Sequence, residues 1–148
     1  MRVLLQRVLE SSVTVADEIV GRIGPGLLVF LGVGKGDSDA QVAWVCDKVS
    51  QLRIFQDGAG KMNRSLLDTH RALLLVSQFT LYADLRKGRR PSFTDAAEPA
   101  EAKRLYLACG ERFRALGLTV AEGIFAADMR VALVNDGPVT LWLDSALP

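Results

Sequence analysis

Residues 3–33 read VLLQRVLESSVTVADEIVGRIGPGLLVFLGV, and this stretch determines the class of fold. Val, Leu and Ile recur in runs that are separated by Asp17 and by the turn residues Gly24-Pro25-Gly26. Short β-branched and aliphatic runs between turn residues are typical of strands. We therefore predict a β meander with strands at residues 3–8, 12–16, 18–23 and 27–33.

Two helices are predicted farther along the chain. Apolar side chains recur at helical spacing in residues 39–52 and again in residues 99–116. Ser38 or Asp39 can cap the first helix, and Gly117 suits the end of the second.

The remaining segments favour strands, at residues 53–55, 72–82, 118–121, 130–134 and 139–143. The last two would be joined by a turn at Asn135-Asp136-Gly137-Pro138. Because strands outnumber helices, we predict an α+β fold: a curved, largely antiparallel, barrel-like sheet with two main helices packed outside. The chain has 148 residues, of which 49% are hydrophobic, and we expect one domain spanning residues 1–148.

Composition also limits the location and the partners. The longest apolar run, residues 27–31, is far shorter than the roughly 20 residues of a membrane helix. Gln6 and Arg7 interrupt the N-terminal apolar residues, so no secretory signal is expected and the prediction is a cytoplasmic protein. The net charge of +1 gives no general attraction to nucleic acid, so RNA binding would need a local basic patch.

Familiar catalytic equipment is missing from the sequence. His70 is the only histidine, and no Gly-x-Ser-x-Gly elbow, phosphate loop or zinc signature occurs. Cys46 and Cys109 have no further Cys or His at metal-ligand spacing, so buried free thiols are predicted. We expect neither a metal nor a cofactor.

The stretch Ser77-Gln78-Phe79-Thr80 ends a strongly apolar strand with hydrogen-bonding side chains. Strand alternation would put Gln78 and Thr80 on one face, where an amide and a hydroxyl beside exposed N–H groups can bind an oxyanion. The alternative is a strand end whose polar side chains satisfy neighbouring loops.

A basic cluster follows, consisting of Arg86, Lys87, Arg89 and Arg90 around Gly88. Arginine forks suit phosphates, and the glycine lets a ligand approach the backbone. A solvated loop is the alternative. The four residues 135–138 are, by backbone rules alone, an ordinary turn, since only about 5–6% of X-Pro bonds are cis.

Several stretches together resemble the D-aminoacyl-tRNA deacylase family, formerly described through its D-tyrosyl-tRNA substrate. Two match signature motifs, Ser77-Gln78-Phe79-Thr80-Leu81 and Asn135-Asp136-Gly137-Pro138-Val139-Thr140. The others are Gln6-Arg7-Val8, Lys87-Gly88-Arg89-Arg90-Pro91-Ser92-Phe93 and Asp128-Met129. They occur in the family's order over essentially the whole chain, which is far more specific than any one motif.

The resemblance implies a homodimer in which the Gly137-Pro138 bond is cis and projects into the partner's active site. The backbone carbonyls of Gly137 and Pro138 would accept hydrogen bonds from the substrate's α-amino group and leave no room for an L side chain. The implied activity is ester hydrolysis of D-aminoacyl-tRNA, and of glycyl-tRNA mischarged on other tRNAs. Arg7 and Met129, which would support this loop, complete the implied substrate-binding set.

The resemblance places catalysis at Ser77, Gln78, Phe79 and Thr80. Backbone N–H groups near Gln78 and Phe79 would stabilise the oxyanion, while the 2′-hydroxyl of the terminal adenosine of the tRNA activates the reaction. Thr80 as nucleophile is the alternative, although its hydroxyl would be weakly activated without a nearby histidine. The chain departs from the family pattern at Ala126-Ala127, where Gly-Ala is expected.

The basic cluster would contact the 3′ end and acceptor stem of the tRNA through phosphates rather than bases. Two other functions stay open at this stage. A non-catalytic tRNA-binding module also needs no acid–base residues, and a small-molecule-binding β-barrel would use the basic loop only for solubility.

Overall fold

The computed structural model describes residues 1–86 and 88–147. Its α-helices are α1 (Asp39–Gln51), α2 (Leu66–Thr69) and α3 (Pro99–Ala115), with a 3₁₀ helix at Phe79–Tyr82. The strands are β1 (Arg2–Val15), β2 (Glu18–Ile23), β3 (Gly26–Gly32), β4 (Phe55–Gln56), β5 (Met62–Arg64), β6 (Ala72–Ser77), β7 (Val120–Glu122) and β8 (Arg130–Asp144).

Strand β1 is continuous over 14 residues, where the sequence predicts two strands. Its first half pairs with β3 and its second half with β2, so the predicted meander is wrong. The polar residues that suggested a break are accommodated inside the sheet. Ser11 is buried and its hydroxyl donates a 2.9 Å hydrogen bond to the carbonyl of Ala132. A satisfied polar side chain need not end a strand.

The main sheet has the order β2-β1-β3-β6-β7, and β8 runs antiparallel along β1. The β3–β6 and β6–β7 pairs are parallel. Strand β2 approaches β7 closely: a Cβ atom on Gly21 would lie only 2.6 Å from the carbonyl oxygen of Glu122. The sheet is therefore mixed and nearly closed, which confirms the predicted barrel-like α+β fold.

Strands β3 and β6 are buried on both faces. Leu27 and Leu73 pack in the cluster that includes the inner faces of α1 and α3. Leu28, Leu74 and Val76 point to the barrel interior and form a second cluster. Burial on both sides explains why these strands are continuous apolar runs in the sequence.

The two long helices confirm the predicted capping residues and stripes. Ser38 caps α1 and forms a capping box with Gln41. Gly117 follows α3 with a φ of 88°, a left-handed conformation that glycine adopts readily. Cys46 and Cys109 are buried free thiols, as predicted. None of the helices within residues 1–86 and 88–147 has the length and apolarity needed to cross a membrane.

Candidate active site

The strand β6 ends at Ser77, and the chain then turns into the 3₁₀ helix. The predicted strand to residue 82 is therefore wrong. The backbone N–H of Gln78 still donates to the carbonyl of Leu31 at 2.8 Å, and its side-chain amide donates to the Thr80 hydroxyl. The amide and the hydroxyl do meet, but a tight turn brings them together rather than strand alternation.

A cavity of about 480 Å³ opens beside this strand end. Its walls come from the end of β6, the start of α3 and residues 125–131. Among the predicted residues, Ser77, Gln78, Phe79 and Met129 line it, whereas Thr80 is not among the described lining residues. The cavity thus brings together the motif at residues 77–81 and the motif Asp128-Met129, but none of its described lining residues comes from the other three motifs.

The cavity is poor in acid–base groups. Tyr106, on α3, is the one titratable side chain among its described lining residues. Its hydroxyl donates to the carbonyl of Leu75 at 2.9 Å, and burial raises its pKa. By contrast, the N–H of Phe79 begins the 3₁₀ helix and has no acceptor within that helix. The described lining residues can offer the N–H of Phe79 to an oxyanion, but no side chain that acts as a base near neutral pH.

The wall formed by residues 125–127 was not predicted as part of the site. Phe125 lies 5.9 Å from the ring of Tyr106, centroid to centroid, and Ala126 and Ala127 also line the cavity. Ala126 has a φ of 63°. The sequence signals here were the Asp128-Met129 motif and the departure from the family pattern at Ala126-Ala127. Tyr106 was not singled out, because it lies within an ordinary amphipathic helix.

Strand β8 is continuous through the segment that the sequence predicts as a turn between two strands. Gln6 of β1 pairs with Thr140, and Val8 pairs with Asn135. Residues 136–139 therefore bulge opposite the single residue Arg7. The prediction of a turn between two strands is wrong, because pairing resumes with the same partner strand on both sides. The Gly137-Pro138 bond within the bulge is cis, as the resemblance implies.

Arg7 supports this bulge from beneath. Its side chain is buried, and its Nη1 donates to the carbonyl of Ile54 at 2.5 Å. Its Nε lies 3.0 Å from Asp136 Oδ2 in an ion pair, although the N–H bond is not aligned for a hydrogen bond. A Cβ atom on Gly137 would lie 3.1 Å from Arg7 Nη2, so the guanidinium touches the loop backbone.

Asn135 connects the two ends of the loop and the facing strand β1 through hydrogen bonds. Its side-chain amide donates to the carbonyl of Arg7 at 2.9 Å and to that of Val139 at 3.0 Å. The sequence marked Asn135 as a turn residue and as part of a family motif, without a role of its own. Its role depends on the strand partner, which no local pattern could indicate.

The basic cluster lies on a hairpin whose base is closed by backbone hydrogen bonds between Asp84 and Ser92, of 2.7 and 3.1 Å. Arg86 forms a forked pair with Asp84, with Nε–Oδ1 and Nη2–Oδ2 distances of 2.9 and 2.8 Å. These bonds lower the pKa of Asp84 to about 2. Arg89 and Arg90 are exposed, and Lys87 lies outside the described residues.

The chain is similar to known proteins over nearly its whole length. A family model described as D-Tyr-tRNA(Tyr) deacylase matches residues 4–144. A protein of Myxococcus xanthus named D-aminoacyl-tRNA deacylase is 65% identical over 148 residues, with 100% of this chain and 97% of the relative covered. The chain belongs to the D-aminoacyl-tRNA deacylase family. The predictions of the family and of the enzyme class are thereby confirmed.

Other known proteins also match over nearly their whole length. The Thermomicrobium roseum D-aminoacyl-tRNA deacylase is 62% identical, with 99% of this chain and 95% of that protein covered. A solved structure named c-Myc DNA Unwinding Element Binding Protein has a TM-score of 0.92 and 37% identity, with 98% of this chain and 99% of that chain covered.

Proposed function

We propose that the protein hydrolyses the ester bond of D-aminoacyl-tRNA, releasing the D-amino acid and free tRNA, and rejects L-aminoacyl-tRNA. Glycyl-tRNA mischarged on other tRNAs would be a further substrate. The observation that carries the proposal is the apolar cavity lined by Phe79, whose backbone N–H has no acceptor within the 3₁₀ helix that it begins, in a chain that matches deacylase relatives over nearly their whole length. An activated ester needs positioning and oxyanion stabilisation more than a strong base.

Chiral selection is assigned to the loop at residues 136–139. Gly137 and Pro138 are not among the described residues that line the cavity of their own chain. Their loop is nevertheless anchored by Arg7 and Asn135, which suits a rigid element that acts elsewhere. In the proposed homodimer, each loop enters the partner's cavity, where its carbonyls bind the α-amino group and block an L side chain.

The proposed chemistry uses the substrate's own 2′-hydroxyl as the activating group. The backbone N–H of Gln78 is already bound to the carbonyl of Leu31, so it is not the oxyanion donor. We assign that role to the N–H of Phe79, with Ser77 shaping the cavity wall. Thr80 is a poor nucleophile here, since its hydroxyl accepts a hydrogen bond from Gln78 and lies outside the described cavity lining.

The hairpin would bind tRNA phosphates. Arg89 and Arg90 are the main candidates, because Arg86 is largely neutralised by Asp84. Lys87 is retained as a prediction from the sequence. Such contacts hold the backbone of the 3′ end and acceptor stem without reading bases.

A deacylation assay with D-tyrosyl-, L-tyrosyl- and glycyl-tRNA tests the proposal. We expect rapid release from the D-ester, slower release from the glycyl ester and little from the L-ester. Binding of all three without release would instead support the non-catalytic module. Failure of uncharged tRNA to compete at low salt would favour the small-molecule barrel. Rapid cleavage of the L-ester would refute the chiral filter alone.

Two further substitutions separate the mechanisms. With Thr80→Ala, turnover should stay near that of the wild type. Loss of turnover in this variant would instead support Thr80 as the nucleophile. Replacing the terminal 2′-hydroxyl with hydrogen should abolish turnover. Normal cleavage of that substrate would rule out assistance by the 2′-hydroxyl.

A further inference from the structure

An exposed aromatic pair lies at the rim of the cavity. The side chain of Phe79 is 56% exposed, and its ring packs edge to face on that of Phe93. The ring centroids are 4.9 Å apart and the planes are inclined by 67°. Phe79 belongs to neither core cluster, so the fold does not require a phenylalanine at this position.

The pair connects two parts of the site. Phe79 lines the cavity, and its backbone N–H is the proposed oxyanion donor. Phe93 directly follows Ser92, which closes the base of the basic hairpin through its bonds to Asp84. The aromatic rings therefore stand where the cavity meets the hairpin that carries Arg89 and Arg90.

We propose that Phe79 and Phe93 form a stacking site for an unpaired nucleobase of the tRNA 3′ end, on the 5′ side of the aminoacylated adenosine. The inference rests on the proposed function. Unpaired bases stack on aromatic side chains while nearby cations bind the connecting phosphates, and this combination tolerates any base. The exposed arginines of the hairpin provide the required charge complementarity.

The stacking site predicts different behaviour for a substrate with one nucleotide and a substrate with several. D-tyrosyl-adenosine fills only the cavity, whereas D-tyrosyl-tRNA also reaches the aromatic pair. Phe93→Leu keeps an apolar side chain but removes the ring. It should raise KM for D-tyrosyl-tRNA about tenfold with little change in kcat, since stacking of one base is typically worth that factor. Hydrolysis of D-tyrosyl-adenosine should be unchanged.

Phe93→Tyr is the matched control, because it retains the ring and should keep KM for D-tyrosyl-tRNA within about twofold of the wild type. Unchanged turnover of the adenosine ester by Phe93→Leu also shows that this variant is folded. An equal loss on both esters, or no loss on either, would overturn the stacking site. So would a Phe93→Leu variant whose main change is a weaker homodimer in sedimentation, since a second copy would then cover the rings.

Binding of uncharged tRNA, measured by fluorescence anisotropy, keeps the two proposals distinguishable. If the wild type hydrolyses neither ester, the proposed function fails. The stacking site still stands in that case if Phe93→Leu weakens tRNA binding about tenfold and Phe93→Tyr does not. It fails if all three proteins bind equally.

Discussion

Two arginine–aspartate pairs lie in the loop and the hairpin to which the proposed function assigns substrate binding, and their environments differ sharply. Arg7 and Asp136 expose 6% and 33% of their side chains, whereas Arg86 and Asp84 expose 84% and 28%. The first pair lies under the cis-proline loop, and the second lies on the basic hairpin. The chemistry is the same, but only the first arginine is removed from water.

Because the two arginines differ in burial, the two pairs have different effects on stability and on charge. A buried cation that loses its partners is costly, so Arg7 can hold a loop in one position. An exposed pair is screened by solvent and contributes little to stability. Its main effect is on charge, because it reduces the positive field that Arg86 presents to a polyanion.

The largest effect is expected for Arg7→Met, which keeps the volume and removes the charge. Asp136 and the carbonyl of Ile54 lose their partner, so the free energy of unfolding should fall by about 3 kcal/mol. The preference for the D- over the L-ester should collapse as the loop shifts. Urea unfolding and the two deacylation rates measure this. Arg86→Met is the control, and it should leave the urea midpoint unchanged. A stable, fully selective Arg7→Met enzyme would show that the buried pair does not hold the loop.

A smaller effect is expected for Asn135→Ala. The carbonyls of Arg7 and Val139 lose their shared donor, which should cost about 1–2 kcal/mol and lower the D-over-L preference. The same assays apply, with Asn63→Ala as the control. Asn63 donates only to Asp57 on the exposed surface, so that variant should keep wild-type selectivity. Equal loss of selectivity in both variants would contradict the proposed role of Asn135 in holding the loop.

On the hairpin, Asp84→Asn should change binding rather than stability. Arg86 would be released toward phosphates, so tRNA should bind more tightly at low salt. The slope of log affinity against log salt should steepen by about 0.7–0.9, the value for one added phosphate contact. Titration of tRNA binding at several salt concentrations measures it. A slope equal to the wild-type slope would mean that Arg86 does not reach the RNA.

The smallest effect is expected from acid. The Arg86 hydrogen bonds hold the pKa of Asp84 at about 2, below its usual value of about 3.9. A lowered pKa means that the pair is intact above the usual value and is lost only as pH falls through about 2. Between pH 7 and pH 4, an NMR titration should show the Asp84 carboxyl unchanged. A midpoint near 4 would show that the pair does not form in solution.

The sequence predicts much of the fold because its signals are local. Apolar spacing and caps are sufficient for α1 and α3, and two-sided burial explains the apolar runs of β3 and β6. Strand pairing is not local. The same residues 135–138 can form a hairpin turn or a bulge, and only their pairing with β1 decides between them.

The same limit applies to the site. The motif containing Gln78 is visible in the sequence, yet which of its N–H groups stays available depends on Leu31, in another strand. Tyr106 and Phe125 reach the cavity from separate elements and carry no motif of their own. Family membership identifies the enzyme class, whereas the proposed assignment of the chemistry to particular atoms rests on tertiary contacts.

The methyl group of Ala126, at the cavity wall, connects the width of the cavity to the stability of the fold. Ala126 adopts a left-handed conformation, with a φ of 63°, that costs an alanine about 1–2 kcal/mol. A glycine there would avoid that cost, offset by about 0.4–1 kcal/mol of added freedom in the unfolded chain. It would also widen the cavity. Ala126→Gly is therefore expected to widen the cavity without loss of stability.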